Sequence, residues 1–95
     1  MNQSTIIESI RGLPCVTDVV VNMQGHILAF GDAQPGSMGD YGWGLPGNNV
    51  RIVHHPLLGW TFCGMIPKDQ VWVDWQPVTS ITDLKTLTRN ALEAS

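Results

Sequence analysis

Residues 15–30, CVTDVVVNMQGHILAF, carry the clearest folding signal in the chain. Two runs rich in β-branched and apolar residues, 15–21 and 26–30, flank the tetrapeptide NMQG at positions 22–25. Asn at the first turn position and Gly at the last are typical of a type I turn whose glycine forms a bulge. The stretch therefore predicts a β-hairpin. Because residues 19–21 are three consecutive valines, we expect its first strand to be central and covered on both faces.

The rest of the chain supplies three more strands and two helices. Short β-rich runs separated by proline and glycine predict a meander, and apolar residues at helical spacing predict a helix at each end. The predicted elements are a helix over 4–12, the hairpin over 15–30, a glycine-rich loop over 31–48, a meander over 49–76 and a helix over 80–94. We expect a single α+β domain over residues 1–95, with a five-stranded antiparallel sheet (hairpin plus three-stranded meander) and both terminal helices packed on one face.

Composition excludes several classes of function. The 95 residues carry a net charge of −3, and the five basic residues are scattered rather than clustered, so no nucleic-acid partner is predicted. No apolar run approaches the ~20 residues that span a bilayer, and the N-terminus lacks the pattern of a signal peptide, so no membrane partner is predicted. A cytoplasmic protein with two thiols is the expectation. Only 14% of the residues are charged, which favours a surface patch that another protein covers.

The loop over 31–48, GDAQPGSMGDYGWGLPGN, is a candidate recognition segment. It holds six glycines and two prolines, yet it also contains Tyr41 and Trp43. Aromatic side chains on such a backbone suit a protein-binding surface. The alternative is that Trp43 folds back as a lid over one edge of the core.

The last predicted strand adds a second group of candidates. Strict alternation places Val71, Val73 and Trp75 on one face, with Trp75 in the core, and places Trp72 and Asp74 on the other face. Trp72 is then the best exposed aromatic anchor. The predicted site residues are Tyr41, Trp43, His55, Trp72 and Asp74. We expect the sheet face with Trp72, the tip around residues 54–58 and the loop around Trp43 to form one continuous patch.

Residues 7–30, with GLPCVTDVVVNMQGHILAF at their centre, resemble the opening of roadblock-type domains. In that family a helix leads through a Gly-Leu-Pro turn into a hairpin, and the resemblance implies a dimeric scaffold that associates with small GTPases. The resemblance covers about a quarter of the chain. The family has a long helix where this sequence has its glycine-rich loop, so we do not assign the chain to it.

Catalytic and metal-binding motifs are weak. His54 and His55 are adjacent in a strand and point to opposite faces, and no short ligand spacing occurs, so neither a metal nor a cofactor is predicted. Cys63 lies mid-strand among apolar residues and lacks the electropositive setting of a reactive thiolate. Asp32, Asp40 and Asp74 remain as carboxylates that could act as acid or base.

These observations favour a small non-enzymatic module that binds another protein or a second copy of itself. The surface would be the aromatic sheet face together with the 31–48 loop. The alternatives are a small-molecule-binding protein with that loop as a lid, and a small enzyme using Asp40, Asp74 or His55. Compact acidic chains without motifs are also typical of phages and mobile elements, which use them as inhibitors of host machinery.

Overall fold

The computed structural model describes residues 1–31, 49–66 and 71–92, and it confirms the predicted α+β fold. Its elements in chain order are α1 (Gln3–Arg11), β1 (Val16–Val21), β2 (Ile27–Gly31), β3 (Asn49–His55), β4 (Gly59–Ile66), β5 (Val71–Pro77) and α2 (Ile81–Leu92). All five strands form one antiparallel sheet in the order β1-β2-β3-β4-β5. Each strand therefore pairs with its neighbours in sequence.

The position of β1 differs from the prediction. Among the described strands it lies at the edge and pairs with β2 alone, and Val20 and Val21 are 39% and 43% exposed. The prediction of a central strand was wrong because a run of valines reports β-propensity, which does not distinguish an edge strand from a central one.

Both helices pack on the same face of the sheet and share one hydrophobic core. Ile6 and Ile10 of α1 and Leu84 of α2 are fully buried in that core, together with inward residues of the sheet such as Ile27 and Phe62. The helices are amphipathic, so this face is the only place where their apolar stripes can leave water. The opposite side of the sheet, called the open face below, has no helix among the described residues.

The turn between β1 and β2 follows from its sequence. The Asn22 side-chain oxygen accepts hydrogen bonds from the backbone N–H groups of Gln24 and His26, at 2.9 and 3.0 Å. Gly25 adopts a φ of 81°, a left-handed value that glycine tolerates without steric cost. The predicted hairpin turn is thus closed by its two signature residues.

Candidate functional site

The open face presents a row of paired side chains across the middle of the sheet. Leu28 on β2 lies opposite Arg51 on β3, and Arg51 lies opposite Cys63 on β4. One step further along the strands, Val53 lies opposite Thr61, whose hydroxyl donates to the Val53 carbonyl at 2.8 Å. Neither α1 nor α2 covers this face, yet four of these five residues are buried and Arg51 is partly exposed.

A β-bulge in β5 determines what stands beside Cys63. The register passes from Gly64↔Val73 to Phe62↔Gln76, so two residues of β5, Asp74 and Trp75, lie opposite Cys63 alone. Trp75 has a φ of 55°, a left-handed conformation that a bulky residue rarely adopts. The predicted alternation of β5 therefore fails at this point.

Trp75 lies on the open face, and the prediction that it packs in the core was wrong. Its backbone N–H donates to the Cys63 sulfur at 3.4 Å, and its ring meets the His55 ring edge-on, with centroids 5.1 Å apart. Because His55 ends β3 while Trp75 lies opposite Cys63, the indole extends along the sheet past the level of Val53 and Thr61. It keeps 43% of its surface exposed.

His55 links Trp75 to the turn between β3 and β4. Its Nδ1 accepts hydrogen bonds from the backbone N–H groups of Leu57 and Leu58, at 3.0 and 3.1 Å. An Nδ1 that accepts two N–H groups carries no proton, so this geometry needs the neutral imidazole with its proton on Nε2. The turn in turn presents Leu57, 89% exposed, and Leu58, 48% exposed. His55 thus connects the Trp75 ring to the backbone of the turn that carries Leu57 and Leu58.

The chemistry at Cys63 is that of a protonated thiol. Burial, with smaller effects from neighbouring hydrogen bonds and charges, raises the pKa of Cys63 to about 11. Its Sγ–H donates to Asp74 Oδ1 at 3.1 Å, and a hydrogen bond from the neutral thiol stabilises the protonated form. A thiol that is protonated at neutral pH is a poor nucleophile. The geometry supports the interpretation of Cys63 as a structural residue.

Arg51 also faces His26 at the start of β2. Its Nη1 lies 3.3 Å from His26 Nδ1, a contact in which the guanidinium donates. Partial burial, followed by the charge of Arg51, lowers the pKa of His26. His26 therefore acts here as a neutral acceptor that helps to hold Arg51 on the open face.

The structure places the predicted site residues in different parts of the molecule or leaves them undescribed. Tyr41 and Trp43 lie outside the described residues. Trp72 is opposite Met65 in the β4–β5 register. His55 contacts the ring of Trp75, and Asp74 precedes Trp75 in the chain. The structure therefore places these two predicted site residues in one region.

The sequence predicted Trp75 in the core and so missed it as a surface residue. The exposed Leu57 and Leu58 lie in the tip around residues 54–58, which the sequence did predict as part of the binding patch. No comparable signal marks Trp75, because the bulge occurs at Asp-Trp rather than at a glycine.

In the ranges 1–31, 49–66 and 71–92, no group of three or more His, Cys, Asp or Glu side chains could hold a metal ion. Neither of the two described helices is long and apolar enough to cross a membrane. An open cavity of about 250 Å³ lies where the end of β5 meets α2, lined by Gln76, Pro77, Val78, Asp83, Thr86 and Leu87. It is smaller than typical ligand pockets, and neither His55 nor Asp74 is among its described lining residues.

Comparison of the chain with protein-family models, curated proteins and solved structures found no match.

Proposed function

We propose that the protein is a non-enzymatic protein-binding module that acts through its open sheet face, with Trp75 as the central anchor. The observation that carries this proposal is the bulge, which turns an indole out of the predicted core and leaves 43% of it exposed. A left-handed φ at a bulky residue costs about 1–2 kcal/mol, and such strain clusters at functional sites. Tryptophan is also among the residues most enriched in binding hot spots.

The surroundings of Trp75 support the same proposal. Its ring is held against His55, and His55 is held by two backbone N–H groups of the β3–β4 turn. An anchor that is already fixed loses little side-chain entropy when a partner covers it. The exposed Leu57 and Leu58 extend the apolar contact area beside it.

Cysteine-based catalysis draws no support from the site. Cys63 is buried, and its pKa of about 11 keeps it protonated at neutral pH. The small-molecule alternative depends on the 31–48 loop, of which all but Gly31 lies outside the described residues. A cytosolic location is consistent with two cysteines that are both thiols, since disulfides are rare in that compartment.

The test is affinity capture from an extract of the native host, with Trp75→Ala compared against Arg89→Ala. Arg89 is exposed on α2, on the other side of the molecule, so its variant controls for a surface change as such. We expect one or more proteins, or the chain itself, to be retained by the wild type and by Arg89→Ala but lost with Trp75→Ala. Thermal unfolding of each variant shows whether it is folded. Equal retention by a folded Trp75→Ala variant would contradict the proposal.

A further inference from the structure

The large apolar side chains that are exposed in the described part of the chain are gathered at one end of the sheet. β1, β3 and β5 run in the same direction, so the β1–β2 and β3–β4 turns lie side by side at that end, about 10 Å apart. We call this surface the turn end and define it by the exposed side chains of Val20, Val21, Met23, Leu57, Leu58 and Trp75. Met1, the remaining exposed apolar residue, lies there too, because its carbonyl accepts a hydrogen bond from the Trp60 indole.

The turn end is larger than an incidental patch. Met23 is fully exposed and Leu57 is 89% exposed, each at the tip of a turn. The exposed parts of the six side chains amount to on the order of 600 Å² of mainly apolar surface, the upper limit for the largest patch on a typical monomer. A standard interface buries about 800 Å² on each partner. The turn end can therefore supply most of one side of a stable complex.

We propose that a second copy of the chain covers the turn end, in a two-fold symmetric dimer. This inference rests on the proposed protein-binding function and names its partner. Symmetric dimers bury the same patch on both subunits, so the patch must tolerate contact with itself. Residues 20–25 and 55–58 contain no Asp, Glu, Lys or Arg, although the whole chain has a net charge of −3. Two copies can thus bring these turns together without opposing like charges, provided that the exposed Asp74 beside Trp75 stays outside the contact.

The middle of the β1 edge is protected against pairing with a strand of the second copy. The hairpin register directs the N–H and C=O groups of Val19 away from β2. The N–H donates to the Asp18 carboxylate at 2.9 Å, and the C=O accepts from the Arg11 guanidinium at 3.5 Å. Charged side chains on an edge strand are a common protection against strand addition. In the proposed dimer the contact is therefore made by side chains at the turn end and not by pairing of the β1 edge.

The test is sedimentation velocity of the full chain from about 5 µM to about 500 µM, a range that detects micromolar dissociation constants. The wild type is expected to shift from monomer to dimer across this range. Leu57→Asp places a charge at the turn end on a fully solvated residue, so the fold is retained and the dissociation constant should rise at least 10-fold. Met23→Asp should act in the same way. Thr82→Asp, on the exposed first turn of α2, is the matched control and should dimerise like the wild type.

Two results would overturn the inference: a wild type that stays monomeric at all concentrations, or Leu57→Asp and Met23→Asp variants that dimerise like the wild type. The outcomes that refute the dimer differ from those that refute the proposed function. A monomeric protein that still captures a partner through Trp75 would refute the dimer alone, whereas capture that does not depend on Trp75 would refute the binding surface itself.

Discussion

Because the backbone at Trp75 is left-handed, we predict that glycine is a more stable replacement there than alanine. In an ordinary strand, glycine is about 0.5–1 kcal/mol less favourable than alanine because it loses more chain entropy on folding. At Trp75, φ is 55°, and a left-handed conformation costs any residue with a Cβ about 1–2 kcal/mol. Trp75→Ala and Trp75→Gly both remove the indole, so the difference between their free energies of unfolding reports the cost of the backbone conformation. Glycine should be the more stable replacement by about 0.5–1 kcal/mol.

Urea unfolding of the two variants measures this difference, and thermal unfolding should show it as roughly 2–8 °C for a domain of this size. Val73→Ala and Val73→Gly form the control pair. Val73 lies two residues earlier in β5 and has no positive φ, so alanine should be the more stable replacement there. The bulge would be refuted if Trp75→Ala equalled or exceeded Trp75→Gly in stability.

Three further predictions concern the core, the thiol and the edge. Gly64→Ala would bring its Cβ to 3.0 Å from Phe62 Cζ, so we expect a loss of about 1–3 kcal/mol in urea unfolding, and an unchanged midpoint would contradict the packing. Cys63, buried and with a pKa of about 11, should react with iodoacetamide about 100-fold more slowly than an ordinary thiol, as followed by mass spectrometry; rapid modification of folded protein would show that the site is wrong. Asp18→Ala removes the acceptor for the Val19 N–H and should promote higher-order association in light scattering, whereas scattering equal to that of the wild type would show that the edge needs no such protection.

Much of the fold could be predicted because short-range chemistry determines it. Asn22 and Gly25 define the first turn, and prolines and glycines divide the second half into strands of ordinary length. The helices follow from apolar spacing, and their placement on one face follows from the need to bury their stripes.

The site was harder to predict because it depends on two long-range features. A one-residue bulge moves every later side chain of β5 to the opposite face of the sheet. The residue types Asp74 and Trp75 do not predict such a bulge. The strand order was the second feature. The sequential order places Met23 and Leu57 in neighbouring turns at the same end of the sheet, and the hydrophobic pattern alone does not specify that order.

The central claim, that Trp75 and the neighbouring turns form the binding surface, can be tested by amide and indole NMR shifts recorded from about 20 µM to about 1 mM protein. We expect concentration-dependent shifts confined to residues 20–25, residues 55–58 and the Trp75 indole. Shifts centred on α2 would contradict this claim, whereas spectra that do not change with concentration would refute the dimer alone.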